Sequence, residues 1–275
     1  MAEAVLAPGG RAHRRFARFP ARTLAPTSRT VRRLAGIVAM FAAWELLARR
    51  SDNRLIPTLN EIWDRLLDDV RSGDLWFNGR LTLTRGLIGL LIALVAGVAI
   101  GLAMGANRWI ERTLQPILSA TYPAPKLALY PVFILLLGLG AAPKIVLVAL
   151  ECLYPIVYNT HAGARAITRD LMWHTRNAEA TRRRRLVDVA IPATLPSILT
   201  GLRIAAPIML IVMVVTEMIG ESRGLGFMIM DARANFQPAG VFSVIIVLGV
   251  LGFVIDRIIV AVLRAVVFWE QEVTL

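Results

Sequence analysis

A carboxyl group and two phenols share one helical face in an apolar segment at the middle of the chain. Tyr154 and Tyr158 follow Glu151 at i+3 and i+7, and residues at this spacing lie on the same side of a helix. Pro155 also leaves the carbonyl group of Glu151 without its helical hydrogen bond. The carboxylate could pair with Lys126 in the preceding apolar segment, or the two charges could line the route of a polar solute. The sequence leaves both interpretations open.

Prolines interrupt the apolar segment that carries Lys126. The run Tyr122-Pro123-Ala124-Pro125-Lys126 is followed by Pro131, and each proline removes a backbone donor and frees a carbonyl group one turn earlier. At membrane depth such breaks are tolerated where protein or a water-filled cavity satisfies the freed groups. A lipid-exposed lysine there would cost about 2.5–3.5 kcal/mol. We therefore predict that this break faces a translocation pathway, although prolines can also simply kink a helix.

Glu217 lies near the end of a later apolar segment, with Glu221 close by. A charged group is easier to hold near the membrane interface than at the bilayer centre, so we interpret Glu217 as a gate or loop-supporting residue. The residues predicted to line the pathway or its gate are Tyr122, Pro125, Lys126, Glu151, Tyr154, Tyr158 and Glu217.

The sequence lacks the motifs of nucleotide hydrolysis and metal catalysis. It contains no GxxxxGK[ST] for ATP phosphates and no HExxH, and His13, His161 and His174 lack metal-ligand spacing. Cys152 is the one cysteine, so neither an intrachain disulfide nor a cysteine-rich metal site can form. The net charge of +12 could suggest nucleic acid, but the arginines alternate with apolar runs and form no basic, aromatic groove. We predict no catalytic residue, no metal and no nucleic acid.

The elements that position these residues are predicted to be membrane-spanning helices. Hydrophobic residues make up 56% of the chain, and the mean hydropathy is +0.61, which is typical of a membrane protein. A helix of about 20 residues crosses a hydrocarbon core of ~30 Å. We predict an all-α polytopic membrane protein with about six transmembrane helices. The six candidate spans lie near 31–48, 83–105, 116–140, 143–162, 197–219 and 240–263.

Arginine clusters predict the orientation of these spans. The first 33 residues contain eight arginines and one acid, and residues 163–191 contain seven arginines against three acids. Because positively charged segments stay on the cytoplasmic side, we predict that both termini are cytoplasmic and that 49–80 and 220–239 are external. Apolar residues between Asn60 and Val70 have helical spacing, which predicts a helix on the membrane surface.

Four stretches follow one another along the chain: LTLTRGLIGLLIALVAGVAIGLAMGANRWIERTLQPIL, YPAPKLALYPVFILLLGLGAAPKIVLVAL, YPIVYNTHAGARAI and IPATLPSILTGLRIAAPIMLIVMVVTEMIGESRGLGFMIMDAR. In this order they resemble the inner-membrane permease of binding-protein-dependent ABC importers, specifically the nitrate, sulfonate, taurine and bicarbonate branch. The resemblance extends from about Leu81 to Trp269. It implies the ABC importer permease fold in a bacterial cytoplasmic (inner) membrane, with a cytoplasmic coupling helix between the fourth and fifth transmembrane helices.

The resemblance also implies partners. They are a second permease copy, identical or different, two cytoplasmic nucleotide-binding subunits and an extracytoplasmic solute-binding protein, besides membrane lipid. ATP and Mg would bind the nucleotide-binding subunits, with no cofactor in this chain. Gly224 and Gly226 resemble the family's external loop, and we interpret them as a contact with the binding protein or as a plain turn.

The family's cytoplasmic loop reads Glu-Ala-Ala, three residues, Gly, nine residues and Ile-x-Leu-Pro. When the final proline of this motif is aligned with Pro192, Trp173-His174-Thr175 stand where Glu-Ala-Ala belongs and Glu179 stands where Gly belongs. The resemblance therefore implies a coupling loop of preserved length in which Trp173 could fill an apolar groove of the ATPase. Acids suit the first turn of its helix and arginines the last. The implied coupling residues are Asp170, Trp173, His174, Thr175, Glu179, Arg182, Arg183, Ile191 and Pro192.

We divide the chain into a basic flexible cytoplasmic tail (1–30), a first transmembrane helix with an external surface helix (31–80), and a permease core (81–275) with the coupling loop at 163–191. We predict a permease subunit that moves a small polar solute inward by alternating access, powered by a separate ATPase. Lys126, Arg203 and the family's substrates favour an anion such as a sulfonate, nitrate or a taurine-like solute. Because the coupling motif is altered, two alternatives stay open: the chain is the less active half of a heterodimeric permease, or it is a membrane scaffold. A secondary transporter is a further alternative.

Overall fold

The computed structural model describes residues 26–50, 55–167 and 189–267. The chain forms two compact units, Met1–Arg50 and Ser51–Leu275, and their described parts are helical and contain no strand. The elements are α1 (Pro26–Arg50), α2 (Leu59–Arg71), α3 (Asp74–Ala106), α4 (Arg108–Thr121), a 3-10 helix (Lys126–Leu129), α5 (Tyr130–Leu137), α6 (Ala141–Ala166), α7 (Ile191–Glu217), α8 (Leu225–Ala234) and α9 (Pro238–Val266).

Four of the described helices, α3, α6, α7 and α9, are long and apolar enough to cross a membrane. The pair formed by α4 and the segment Lys126–Leu137 adds a fifth candidate, bent by 84°. The predicted count of six is therefore not confirmed. Helix α1 is present. Its uncharged stretch begins after Arg33 and is interrupted by Glu45 before Arg49, so this stretch is short for a membrane span.

The core of the second unit consists of α3, α6 and α7. Helices α3 and α6 run parallel and very close, because small residues recur at four-residue intervals on α3. A Cβ atom at Gly97 would lie 2.7 Å from Ile156 Cγ2, and one at Gly101 would lie 2.6 Å from Thr160 Cβ. Helix α7 runs antiparallel to α6, since Gly163 late in α6 meets Ser197 early in α7, and Gly201 further along α7 meets the carbonyl group of Pro155. We call the end of the bundle where α3 and α6 begin and α7 ends the Glu217 end.

The predicted break in the third span is present. Helix α4 stops at Thr121, the chain turns through residues 122–125, and the 3-10 helix precedes α5. Pro125 is the N-terminal flanking residue of the 3-10 helix, which suits a residue without a backbone donor. The turn faces the middle of α6, so the break brings its side chains to Glu151.

Helix α2 packs on the start of α9. Thr58 and Glu61 close a capping box at its beginning, which satisfies two of the donors that a helix leaves unpaired. Asp69 is buried, pairs with Arg65 at 3.0 Å and accepts a hydrogen bond of 3.1 Å from Ser243. Ile62 and Asp69 are the buried residues of α2, whereas the neighbouring Trp63 is exposed. The predicted helix is therefore present, and its location on the membrane surface stays a prediction.

Candidate functional site

The broken third span and α6 form a charged site about midway along α6. Lys126 Nζ lies 3.4 Å from Glu151 Oε2, which confirms the pairing that the sequence suggests. The same ammonium group donates to the carbonyl oxygens of Tyr122 at 3.0 Å and Ala124 at 3.4 Å. These carbonyl groups belong to the proline-interrupted turn. The break therefore supplies the acceptors that an intramembrane lysine requires.

Three tyrosines surround this ion pair. Lys126 Nζ lies 4.5 Å from the ring centroid of Tyr154 and 5.8 Å from that of Tyr122. The Tyr122 ring contacts the rings of Tyr154 and Tyr158 at centroid distances of 5.8 and 5.9 Å. Tyr154 is buried and donates from its hydroxyl group to Thr121 Oγ1 at 2.8 Å, whereas Tyr122 is 58% exposed. The structure thus brings together the predicted pathway residues of the third and fourth spans, and Tyr122 forms the open side of the site.

A second polar cluster, which we call the Glu217 cluster, lies at the Glu217 end. Glu217 is 1% exposed. Thr82 Oγ1 donates to its carboxylate at 2.8 and 3.0 Å, and the backbone N–H of Gly226 donates at 3.1 Å. Thr82 also accepts a hydrogen bond from the backbone N–H of Leu225 at 2.9 Å. These contacts hold the loop before α8 against α3 and α7, which supports the loop-supporting interpretation of Glu217.

Two cations complete the Glu217 cluster. Arg85 Nη1 lies 3.8 Å from Glu217 and 3.7 Å from Glu221. Lys144 is buried, forms an ion pair with Glu221 and donates to the carbonyl oxygen of Gly140 at 3.0 Å. The sequence interpretation missed Thr82, Arg85 and Lys144. The two cations could have been noticed as charges at the starts of otherwise apolar spans, whereas nothing in the sequence marks Thr82.

The loop glycines are packed inside the protein. Gly224 and Gly226 are both buried, and a Cβ atom at Gly226 would lie 2.7 Å from the Cβ atom of Glu217. Gly224 has φ +118°, a conformation that favours glycine, and its N–H donates to Asn78 Oδ1 at 2.6 Å. This burial gives both glycines a structural role in the loop. Their contact with a binding protein stays a prediction.

The opposite end of the bundle, where α6 ends, carries a charged cluster. Glu111 at the start of α4 pairs with Arg165 near the end of α6, and His161 Nε2 lies 3.3 Å from the same carboxylate. Farther along the bundle, Arg203 donates to Asp256 at 2.7 Å. Arg203 therefore has a carboxylate partner, and so does Lys126. Because both cations already have a carboxylate partner, they support an anionic solute less strongly than the sequence alone suggests.

Most of the predicted coupling loop lies outside the described residues. Ile191 and Pro192 are the first two residues of α7, so this end of the loop leads directly into the core. The loop residues outside the described ranges are Asp170, Trp173, His174, Thr175, Glu179, Arg182 and Arg183.

Comparison with known proteins identifies the family. The family described as "Binding-protein-dependent transport system inner membrane component" matches residues 89–267. The chain belongs to this family. A putative aliphatic sulfonates transport permease protein of Bacillus subtilis is 34% identical over 218 residues, which cover 79% of each chain. A taurine transport system permease protein of Escherichia coli is 28% identical over 256 residues, which cover 90% of this chain and 93% of the relative.

The solved structures agree with the family in fold. The chain resembles an inward-facing methionine ABC transporter with a TM-score of 0.62 and 20% sequence identity, over 76% of this chain and 99% of the other. The chain is therefore an ABC importer permease subunit of the nitrate, sulfonate and taurine branch, located in a membrane, and it is a transport protein and not an enzyme.

Proposed function

We propose that this permease moves a small polar solute of the sulfonate, nitrate or taurine type across the cytoplasmic membrane by alternating access. The observation that carries the proposal is the site formed by Lys126, Glu151 and Tyr122 at the break in the third span. An ion pair about midway along a spanning helix is costly against lipid and is favoured where it faces a bundle interior or a water-filled route. The relatives' names support the solute class.

A second permease copy, identical or different, would enclose this route. Helix α4 contains no buried residue in the single chain, and Trp109 and Ile117 on it are exposed. The open side of the site, formed by Tyr122, adjoins this uncovered helix. Among soluble oligomers, two-fold symmetric dimers are the commonest closed assembly, and a dimer of this kind would cover the surface of α4. A route between two copies would place both sets of Lys126 and Glu151 on its walls.

Hydrolysis of ATP with Mg on two cytoplasmic nucleotide-binding subunits would drive the change of access. The coupling loop would transmit their closure to α6 and α7, which it joins directly. The ion pair of Glu111 with Arg165 and the contact of His161 with the same carboxylate tie α4 to the loop end of α6, so a movement of the loop would reach the third span. This arrangement requires the loop and both termini to be cytoplasmic and the Glu217 end to face the solute-binding protein.

Uptake by the reconstituted transporter tests the proposal. The chain would be placed in proteoliposomes with its nucleotide-binding subunits and binding protein, and labelled solute would be followed with ATP inside. We expect ATP-dependent uptake that falls strongly in Trp173→Ala, because Trp173 stands where the family's coupling glutamate belongs. A Trp63→Ala variant, altered at an exposed position on α2 and outside both the loop and the α4 surface, serves as the control. Uptake that needs no ATP would refute the proposal, and full uptake by Trp173→Ala would refute the role given to Trp173.

A further inference from the structure

An apolar groove of about 640 Å³ lies between α3 and α9, with Leu66 of α2 also on its wall. This volume falls within the ~300–1,000 Å³ of ordinary ligand sites. Leu87 of α3 and Val250 of α9 line the groove and are 49% and 56% exposed, so apolar surface stays uncovered here in the described part of the chain. The groove shares no residue with the Lys126 site or the Glu217 cluster.

Arg80 is the one charged residue among the described residues that line the groove. Its side chain is exposed, and its guanidinium group forms no ion pair or hydrogen bond within the described ranges. Thr84 also lines the groove, but its hydroxyl group already donates to the carbonyl oxygen of Arg80 at 2.7 Å. The groove therefore combines an apolar wall with one positive charge that no lining carboxylate balances.

The charge and the apolar wall lie at different depths along α3. Arg80 is six residues from the start of the helix at Asp74, roughly 9 Å along its axis, and Leu87 lies about 10 Å further on. Trp76, one turn before Arg80, lines the same groove and is 73% exposed. Tryptophan and long basic side chains favour the level of the lipid headgroups. This order places Arg80 at headgroup depth and Leu87 beside the acyl chains.

We propose that the groove binds an anionic phospholipid, with the phosphate group on Arg80 and one acyl chain between α3 and α9. The fork of a guanidinium group matches two oxygens of a phosphate. A phospholipid carries the anion and the apolar chain in one molecule, in the order in which the groove presents their partners. The subunit also lies in a membrane, so this ligand is always at hand. The site is independent of the solute and of its route.

Native mass spectrometry of the purified full chain in detergent, with added lipid, tests the site. The probes are phosphatidylglycerol and phosphatidylcholine with identical acyl chains, which share the phosphate and differ in net charge. We expect tighter binding of phosphatidylglycerol, and Arg80→Gln should reduce this preference by about fivefold, the effect of one arginine beside an anionic lipid. Arg71→Gln removes an exposed arginine outside the groove, at the end of α2, and should leave the preference unchanged. Equal binding of both lipids, or equal losses in both variants, would overturn the inference.

A substitution at Gly79 tests the apolar part of the site. Gly79 lines the groove, and a Cβ atom there would have nothing within 4 Å, so Gly79→Leu fills the groove without overpacking the helices. We expect this variant to fold, judged by protection of the buried Cys152 from maleimide labelling, and to bind both lipids more weakly. A folded Gly79→Leu chain that binds both lipids like the wild type would overturn the inference and leave the groove to a protein helix, such as one from a second copy.

Glycerol 3-phosphate distinguishes a lipid site from a site for free phosphate. It carries a phosphate group without acyl chains, so it should not displace phosphatidylglycerol when added at the same concentration. Displacement by this compound would overturn the inference, because the groove would then contribute nothing to binding.

Discussion

Thr82 at the centre of the Glu217 cluster provides a sharp test of the structure. The substitution Thr82→Val keeps the shape of the side chain and removes its hydroxyl group. That group donates to the Glu217 carboxylate and accepts from the N–H of Leu225, so both bonds are lost at a fully buried position. A hydrogen bond to a charged group contributes about 1.5–3 kcal/mol and a neutral one about 0.5–1.5 kcal/mol. We expect Thr82→Val to lower the free energy of unfolding by about 2–4 kcal/mol.

The same helix offers a matched control. Thr84 is exposed, and its hydroxyl group donates at 2.7 Å to the carbonyl oxygen of Arg80 within α3. The identical change, Thr84→Val, should therefore alter the free energy of unfolding by less than about 0.5 kcal/mol. The difference between the two variants removes the contribution that a valine side chain makes to the stability of helix α3 itself.

Cys152 provides the assay. It is the one cysteine of the chain and is fully buried in the core, so a fluorogenic maleimide can label it only when the core opens. We expect the temperature of half-maximal labelling to fall by several degrees in Thr82→Val and to remain near wild type in Thr84→Val. Equal shifts in the two variants, or none in either, would refute the described contacts of Glu217.

Two further predictions use the same assay. Gly97→Leu should destabilise the protein by about 1–3 kcal/mol or more, because even a Cβ atom there would lie 2.7 Å from Ile156 Cγ2 and overpacking is costly. Gly249→Ala should be tolerated, because nothing lies within 4 Å of the added atom. Equal effects of the two substitutions would contradict the close packing of α3 and α6. Asp256→Asn should shift the labelling temperature much less than Gly97→Leu does, because its partner Arg203 is about one-third exposed. A shift larger than that of Gly97→Leu would contradict the described environment of the Arg203 and Asp256 pair.

The local features of the site could be predicted from the sequence. Proline chemistry is local, so the run from Tyr122 to Lys126 indicated a break that the structure contains. Helical spacing placed Glu151 and Tyr154 on one face, and an intramembrane charge needs a partner, which made the Lys126 pair foreseeable. These inferences depend on neighbours in the sequence or on a general cost of charge in lipid.

The Glu217 cluster could not be predicted in the same way. Thr82 and Glu217 are 135 positions apart, and their contact depends on the register in which α3 and α7 pack. That register is set by small residues such as Gly97 and Gly201, whose partners on α6 become known only when the helices are placed. The number of spans was uncertain for a related reason, because the bend of 84° decides whether α4 and α5 count as one.

In the proposed function, this permease works with a separate ATPase. Affinity purification of the chain from its native membrane, followed by mass spectrometry of the bound subunits and an ATPase assay, tests it most directly. We predict recovery of a nucleotide-binding subunit whose hydrolysis of ATP rises when solute-loaded binding protein is added, with any different permease chain revealing a mixed pair. Recovery of the chain with no nucleotide-binding subunit and no ATPase activity would contradict the claim.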